Sequence, residues 1–307
     1  MKTPDPPKLD HLITEQVNPA STELDLKSPL ELLRIINAAD AQVAKAVERA
    51  LPQIAQAIDL IAAALRKGGR LIYVGAGTSG RIAALDAAEC PPTFNTDPKS
   101  VQFVVAGGVR SLGAAVEANE DSRTLGQREL AKKKPGKKDV VVGIAASGRT
   151  PFTVAAVEYA RRKGSKTVSV TCNPDSPLER AAEVAIVAEV GPEVVSGSTR
   201  MKAGTAQKMI LNMLSTGAMT QLGYVYGNLM VNVQLKNEKL VERGVSILQR
   251  AAGISREDAV KALKAAGNRV PVALIMLQAD VSKAEAEKAL TSTNRHVRKA
   301  IAAVRAM

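Results

Sequence analysis

Cysteine, histidine and aromatic side chains are scarce in this sequence. Its 307 residues include two cysteines, two histidines and no tryptophan, and aromatic residues make up 2%. Cys90 and Cys172 form no pairing motif, and neither they nor His11 and His296 have the spacing of a zinc site. We therefore predict no disulfide, no metal site and a cytoplasmic location, where thiols stay reduced.

A long uninterrupted apolar segment is also missing. The first residues, MKTPDPPKLDHLITEQ, carry prolines and acidic side chains where a secretory signal needs an apolar core. The most apolar stretch, from Met209 to Val233, is interrupted by four amide side chains: Asn212, Gln221, Asn228 and Asn232. We interpret this stretch as a buried core helix and expect no contact with a membrane.

Acidic residues are outnumbered by basic ones, which gives a formal net charge of +12. This charge alone is compatible with nucleic-acid binding, but the lysines are scattered or lie in one short run at 132–138, and few aromatics are available for stacking. A solvated basic surface explains the charge, and its positive potential favours an anionic substrate. We expect no nucleic-acid partner.

The middle of the chain alternates short apolar runs with helical patterns. The five β-rich runs are LIYVG at 71–75, VQFVVA at 101–106, DVVVGIA at 139–145, TVSVTC at 167–172 and VAIVAEV at 184–190. Apolar strands that are separated by helices form parallel sheets covered on both faces. The sequence therefore predicts an α/β fold, a three-layer α/β/α sandwich around a five-stranded parallel sheet.

A helical region precedes the first strand. Ser28, a proline at the first helical position and Glu31 form a capping box, and apolar residues then recur at helical spacing to about Leu65. We expect one long helix or a kinked pair, with Pro52 as the break.

Three domains are expected. Residues 1–27 are interpreted as an N-terminal arm, and residues 28–250 as the main domain, including the helices before the sheet. Capping motifs that begin at Ser255 and Ser282 surround short helical segments. We therefore assign residues 251–307 to a small C-terminal helical bundle.

A glycine-rich loop follows the first strand. Residues 75–80, GAGTSG, satisfy the GxGxxG pattern of dinucleotide-binding folds. That pattern also requires an acidic residue at the end of the second strand, where this sequence reads VAGG at 105–108. No GxxxxGK[ST] motif occurs either, so we predict no nucleotide and no other cofactor.

Two further loops repeat the chemistry of the first. Residues 146–150, ASGRT, follow the third strand, and residues 196–202, SGSTRMK, follow the last one. Glycine lets a ligand approach the backbone, while hydroxyls and unpaired N–H groups at a helix N-terminus bind phosphate. Because open α/β sheets bind ligands at the carboxyl ends of their strands, the three loops predict a sugar-phosphate site.

These loops resemble those of the sugar isomerase (SIS) domain, a flavodoxin-like sandwich that binds phosphosugars. A narrower resemblance, over about residues 12–245, is to the N-acetylmuramic acid 6-phosphate etherases. Its motifs are TEQ at 14–16 with NP at 18–19, GAGTSGRIAALDAAECPPTF at 75–94, AGG at 106–108, AVEANEDS at 115–122, GIAASGRTPF at 143–152 and GSTRMKAGTAQKMILNMLST at 197–216. The tail resembles the small helical domain of that family, except that TNRH at 293–296 stands where a glycine-containing turn is expected.

The resemblance implies a reaction and its catalytic residues. Such etherases convert N-acetylmuramic acid 6-phosphate and water to N-acetylglucosamine 6-phosphate and D-lactate, in the recycling of cell-wall sugars. Their two catalytic glutamates match Glu89 and Glu120. We expect Glu89 to protonate the departing lactyl oxygen, because CPP at 90–92 predicts a rigid apolar turn that favours a neutral carboxyl group. Glu120 is then the expected base for the C2 proton.

The resemblance and the loop chemistry together predict the substrate contacts. We expect Ser147, Gly148 and Thr150 to bind the phosphate, with Arg149 beside them. Sugar hydroxyls or the remaining phosphate oxygens are expected at the other two loops. The predicted contacts there are Gly77, Thr78, Ser79, Ser198, Thr199 and Lys202.

The sequence is also compatible with two other functions. An aldose–ketose isomerase of the same domain class also begins by removing a C2 proton, and Glu193 resembles the base of some such isomerases. It is therefore kept as a candidate additional acid or base. A non-catalytic regulator that senses a phosphosugar is the second alternative, although no helix-turn-helix region precedes the sheet. The resemblance also implies a homodimer, with the apolar helix Met209–Met230 as a candidate seam.

Overall fold

The computed structural model describes residues 12–114 and 119–306 of the chain. The predicted arm up to residue 11, residues 115–118 of the AVEANEDS segment and Met307 lie outside the described residues. Two compact units are distinguished, and each is described by itself. One comprises the chain up to residue 87 together with 101–214, and the other comprises 88–100 and the chain from 215 onward. The domain boundaries predicted at residues 27 and 250 stay predictions.

The first unit is built on a parallel five-stranded sheet, as predicted. The strands are β1 (Leu71–Gly75), β2 (Val101–Val105), β3 (Val140–Ile144), β4 (Lys166–Thr171) and β5 (Val184–Val187). Their order across the sheet is β2-β1-β3-β4-β5, and all neighbouring pairs are parallel. The order reverses between β1 and β3, and the crevice at such a reversal is where open α/β sheets bind ligands.

Helices precede, connect and follow these strands in the chain. They are α1 (Pro29–Asp40), α2 (Val43–Arg49), α3 (Leu51–Arg66), α4 (Gly77–Phe94), α5 (Arg123–Ala131), α6 (Pro151–Arg162), α7 (Pro177–Ala181) and α8 (Lys202–Gln221). In β1, Ile72 and Val74 pack in a cluster with Phe152 of α6, whereas Tyr73 donates its hydroxyl to Asp86 of α4 at 2.8 Å. Because successive strand residues face opposite sides, α4 and α6 lie on opposite faces, which confirms the sandwich.

The helical region before the sheet contains three helices where one or two were predicted. The capping box of Ser28 and Glu31 at the start of α1 is confirmed. Pro52 stands in the first turn of α3, so the break predicted there is also confirmed. A second break, at Ala41 and Gln42 between α1 and α2, was not predicted, since neither residue type interrupts a helix by its own propensity.

The rigid turn predicted at residues 90–92 is wrong, because helix α4 continues through Pro91 and Pro92 to Phe94. Each proline lacks the N–H that would bond to a carbonyl four residues earlier, which usually ends a helix. Here the hydrogen-bond pattern resumes directly after them, since Asn95 donates its N–H to the Pro91 carbonyl at 2.9 Å. The chain leaves the helix at Asn95, whose φ is 52°.

The apolar stretch from Met209 to Val233 is not one helix, as it was predicted to be. Helix α8 ends at Gln221, and Gly223 follows with a φ of +80°, a conformation that favours glycine. The dimer seam proposed at 209–230 therefore cannot be one continuous helix. Among the described residues, none of the helices combines the length and the apolar character that crossing a membrane requires.

The described part of the second unit contains five further helices. They are α9 (Glu238–Ala252), α10 (Arg256–Ala265), α11 (Val270–Ala279), α12 (Lys283–Ser292) and α13 (Val297–Arg305). Their apolar faces form one buried core that includes Leu248, Leu263 and Ile275. Ser255 and Ser282 cap α10 and α12 as predicted. The turn at 293–296 forms without glycine, because residues 294 and 295 both adopt a left-handed conformation.

A buried ion pair joins the first residues of the sheet. The Asp139 carboxylate, just before β3, accepts hydrogen bonds from the backbone N–H and the guanidinium of Arg70, which precedes β1, and from the Gly136 N–H. The shortest of these bonds is 2.7 Å, and the Asp139 side chain is 7% exposed. Burial alone raises the pKa of Asp139, but the hydrogen bonds and charge of Arg70 outweigh it and hold the pKa below its ordinary value.

We expect Asp139→Asn to lower the free energy of unfolding at neutral pH by about 2 kcal/mol, since it leaves a partly buried guanidinium without its charged partner. A carboxyl whose pKa is depressed in the folded state stabilises the protein above its unfolded pKa. That contribution is lost as the pH falls through the folded pKa. Urea unfolding from pH 7 down to pH 3 should therefore show a difference between the proteins that shrinks on acidification. A constant difference would contradict this electrostatic account.

Candidate functional site

The first loop brings Glu120 to the N-terminus of α4. Gly77, the first residue of α4, has a φ of +50°, and a Cβ built on it would lie 3.1 Å from Oε1 of Glu120. The Glu120 carboxylate thus lies against the positive end of a helix, where negative charge is favoured. Its backbone carbonyl accepts a hydrogen bond from the Phe152 N–H at 3.0 Å, at the start of α6. Glu120 therefore connects the first loop to the helix that follows the second.

The second loop is shaped by contact with Ser176. Gly148 has a φ of +67°, and a Cβ on it would overlap the Oγ and Cβ of Ser176. The Gly148 carbonyl accepts the Leu178 N–H at 2.9 Å, which fixes the loop against α7. The hydroxyl of Ser147 accepts the Arg149 N–H at 3.3 Å. Contacts with Ser176 and Leu178 therefore fix this loop at the carboxyl end of β3.

Several predicted substrate contacts have hydroxyls without a hydrogen-bond partner in the part of the chain that the structure describes. Thr150 is the N-cap of α6, but its side chain makes no capping hydrogen bond. The hydroxyls of Thr78, Ser198 and Thr199 also have no hydrogen-bond partner among residues 12–114 and 119–306, and all three side chains are half-buried. Together with helix N–H groups, such hydroxyls suit a sugar phosphate.

The first and third loops also approach each other. A Cβ on Gly204, in the first turn of α8, would lie 3.5 Å from Cγ2 of Thr78 and 3.6 Å from the carbonyl of Thr199. With Glu120 joining the first loop to α6, all three predicted loops gather at one edge of the sheet. The parallel topology predicts that these loops lie near one another. Their hydroxyls accordingly lie at the carboxyl edge of the sheet.

Glu193 and Lys202 lie beneath the third loop rather than in it. Both Glu193 oxygens accept backbone N–H groups at the start of α8, from Lys202 and Ala203, each at 2.9 Å, and Glu193 is fully buried. The Lys202 ammonium donates to the Val190 carbonyl at 2.7 Å and the residue is 5% exposed. Burial lowers the pKa of Lys202, and the Glu193 charge offsets part of this effect.

These positions differ from the roles predicted for the two residues. Glu193 caps α8 with both oxygens, an arrangement that fixes the helix and leaves no lone oxygen facing a ligand. Lys202 donates to a carbonyl after β5, that of Val190. Lys202 thus has a structural role as a donor to Val190, and its predicted substrate contact stays a prediction. The sequence placed it beside Ser198 and Thr199 but carried no signal for the direction of its side chain.

Glu89 is exposed on the last turns of α4 and lies in the second unit. One turn earlier on the same helix, the buried Asp86 accepts the Tyr73 hydroxyl at 2.8 Å and the Asn212 amide at 2.8 Å. Asp86 thus anchors α4 to β1 and α8. Sequence reasoning missed this network, because the local sequence around an aspartate inside a helix gives no sign of partners that are distant in the chain.

An N-terminal segment at the site was also missed as a functional element. Thr14 is fully buried, and its hydroxyl accepts the side-chain amide of Asn173 at 3.0 Å. The same amide donates to the Ala146 carbonyl, at the start of the second loop. Ser196, in the third loop, donates its hydroxyl to the Glu15 carbonyl at 3.2 Å. The motif TEQ at 14–16 was noticed in the sequence, but its location became apparent only in the structure.

Comparison with known families identifies the class of the sheet domain. Residues 53–161 match the model of the glucokinase regulatory protein N-terminal SIS domain, and residues 130–217 match the SIS domain model. The matched residues span β1 to β5 and the three loops. They also include most of α8, the helix that follows the third loop. The first unit is therefore an SIS domain, as its sequence suggested.

Curated relatives narrow this class. The chain is 58% identical over 275 residues to the N-acetylmuramic acid 6-phosphate etherase of Symbiobacterium thermophilum, covering 89% of this chain and 91% of that protein. It is 50% identical over 293 residues to the enzyme of the same name from Klebsiella aerogenes, covering 95% and 98%. The chain belongs to the N-acetylmuramic acid 6-phosphate etherase family.

Proposed function

We propose that this protein cleaves the D-lactyl ether of N-acetylmuramic acid 6-phosphate, in the recycling of cell-wall sugars. The products are N-acetylglucosamine 6-phosphate and D-lactate. The observation that carries the proposal is the identity of 50–58% to etherases over 89–95% of the chain. The three hydroxyl-rich loops at the carboxyl ends of parallel strands support a phosphosugar substrate independently of that likeness.

The reaction is an elimination followed by hydration. In the open-chain sugar, the C1 aldehyde acidifies the proton at C2. A base removes that proton, a C2–C3 double bond forms, and the C3–O bond breaks as an acid protonates the departing lactate oxygen. Water then adds at C3 and a proton returns to C2, which gives N-acetylglucosamine 6-phosphate. Two carboxyl groups in opposite protonation states suffice for both steps.

Glu89 is the proposed acid and Glu120 the proposed base. The contact of Glu120 with the N-terminus of α4 supports this division, because a helix N-terminus stabilises the ionised carboxylate that a base must be. The apolar turn predicted after Glu89 does not support its role as the acid, since residues 90–92 are helical. Support for Glu89 comes from its match to the family motif and from the fit of Glu120 to the other role.

The phosphate is proposed to bind at the second loop, through Ser147, Gly148 and Thr150. Support comes from Thr150, the N-cap of α6, whose hydroxyl makes no capping hydrogen bond to the helix. Sugar hydroxyls are assigned to the other predicted contacts, Gly77, Thr78, Ser79, Ser198 and Thr199, with half-buried Arg149 at the rim.

The isomerase alternative is less well supported. Its proposed base, Glu193, is buried and uses both oxygens to cap α8, so it has a structural role that explains it fully. Glu120, in contrast, reaches the first loop. A regulator without catalytic activity would retain the loops but need neither glutamate.

The protein is also proposed to be a homodimer and to be located in the cytoplasm. Helix α1 has no buried residue, and Leu30 and Leu33 on it are 58% and 59% exposed. An amphipathic helix with exposed leucines supports association with a second copy beside the sheet. Both cysteines are buried side chains, which supports a reducing compartment.

The proposed activity is tested by incubating the purified protein with N-acetylmuramic acid 6-phosphate in the presence of a chelator. We expect stoichiometric D-lactate and N-acetylglucosamine 6-phosphate, measured by coupled assay and mass spectrometry. Binding of the substrate without lactate release would favour the regulator. Formation of a ketose phosphate would favour the isomerase. Lactate release that the chelator stops would overturn the prediction that no metal is needed.

A further inference from the structure

The segment Leu12–Ser21 lies across two of the three loops and is fixed at both. Thr14 is fully buried and bonds to Asn173, which in turn donates to Ala146 in the second loop. Farther along, the Asn18 amide donates to the Pro192 carbonyl at 3.2 Å, just before the third loop. A segment held at both ends by long-range hydrogen bonds presents the side chains between them in defined positions.

Glu15 lies between these two anchors, against the third loop. Its backbone carbonyl accepts the Ser196 hydroxyl, and its Oε2 would lie 3.2 Å from a Cβ on Gly197. Gly197 adopts a φ of +76° and directly precedes Ser198, one of the proposed sugar contacts. The Glu15 side chain is half-buried and has no hydrogen-bond or ion-pair partner within the described part of the chain. The Glu15 backbone thus bonds to the third loop, whereas its carboxylate bonds to no other described residue.

We propose that Glu15 is a substrate-positioning residue whose carboxylate accepts hydrogen bonds from the neutral part of the sugar, a hydroxyl or the acetamido N–H. This inference rests on the function proposed above. A partly buried carboxylate without an internal donor is costly unless a ligand supplies one. Repulsion keeps the phosphate and the lactyl carboxylate away from Glu15. The carboxylate therefore helps to fix which end of the substrate enters the second loop.

The charge of Glu15 gives the inference a specific test. Glu15→Gln keeps the shape and the backbone contact with Ser196 but replaces one acceptor oxygen with a donor. A hydrogen bond to a charged acceptor contributes about 1.5–3 kcal/mol, so affinity for a sugar phosphate should fall about 10-fold or more. Affinity for inorganic phosphate should not fall, because phosphate alone has no sugar hydroxyl to donate and loses a repulsive neighbour.

Isothermal titration of the full chain with N-acetylglucosamine 6-phosphate and with inorganic phosphate measures both effects. Glu23→Gln is the matched control, since Glu23 is exposed in the same region and lies outside the segment. Steady-state lactate release should show the loss in KM, with kcat changed only a few-fold. A melting temperature close to that of the unchanged protein confirms that Glu15→Gln folds.

The inference is overturned if Glu15→Gln binds N-acetylglucosamine 6-phosphate as tightly as the unchanged protein does. It is also overturned if the affinities for sugar phosphate and inorganic phosphate fall equally, since that pattern indicates damage to the second loop. In both cases the proposed function survives. Failure of the unchanged protein to bind either compound would instead overturn the proposed function and, with it, this role.

Discussion

Glu89→Gln is expected to reduce D-lactate release by about 10³-fold or more, because general acid catalysis contributes about 10²–10⁴-fold and an alkoxide is a poor leaving group. Glutamine keeps the size of the side chain but cannot deliver a proton at the working pH. Binding of N-acetylglucosamine 6-phosphate should change little, since the phosphate is proposed to bind elsewhere. Glu48→Gln, which alters an exposed glutamate on α2, is the matched control and should retain full activity.

The division of roles between Glu89 and Glu120 can be separated in deuterated water. If Glu120 is the base, Glu89→Gln should still exchange the C2 proton of the substrate for deuterium, while releasing almost no lactate. Glu120→Gln should block both exchange and release. NMR of the recovered substrate measures the exchange. The opposite pattern would reverse the two roles, and full turnover by Glu89→Gln would remove that residue from the mechanism.

Gly148→Ala is expected to have the second largest effect, on both stability and phosphosugar binding. The added Cβ would overlap Ser176, and alanine is strained at a φ of +67°. Overpacking and a left-handed backbone together cost about 2–4 kcal/mol of the free energy of unfolding. Relief by movement of the loop would displace the neighbouring Ser147 and Thr150. We therefore also expect a loss of affinity for N-acetylglucosamine 6-phosphate of about 10-fold or more.

Two further variants isolate the cause of this effect. Gly136→Ala is the matched control, because Gly136 has an ordinary φ and no atom lies within 4 Å of the position of its Cβ. It should unfold at the same denaturant concentration as the unchanged protein. Ser176→Gly removes the atoms that collide and should recover part of the loss when combined with Gly148→Ala. A strictly additive double variant would mean that contact with Ser176 is not the source of the effect.

Much of the fold was predictable because it depends on short sequence patterns. Five apolar runs, each bounded by helical segments, correspond to β1–β5 with ends differing by a few residues. Capping boxes at Ser28 and Ser282 were located correctly, since their partners lie three residues away in the sequence. The loops at 75–80 and 146–150 were predicted to bind a ligand because a glycine and a hydroxyl directly precede a helix, and that binding stays a prediction.

Two predictions made from local residue preferences were wrong. Pro91 and Pro92 were read as the end of α4, but packing and a resumed hydrogen-bond pattern carry the helix to Phe94. Conversely, α8 was extended past its end because apolar composition does not reveal the left-handed turn at Gly223. Propensity describes what a segment prefers in isolation, and tertiary contacts decided both of these segments.

The sequence by itself determined the parallel sheet, the glycine and hydroxyl loops at its carboxyl edge and the two glutamates of the family motif. Only the tertiary structure decided what surrounds those loops. Glu120 was brought to the N-terminus of α4, Glu193 was committed to capping α8, and Glu15 was placed against a loop 181 positions away by the bond from Ser196. These contacts join residues far apart in the chain, and no periodicity or spacing encodes a contact that depends on how whole elements pack together.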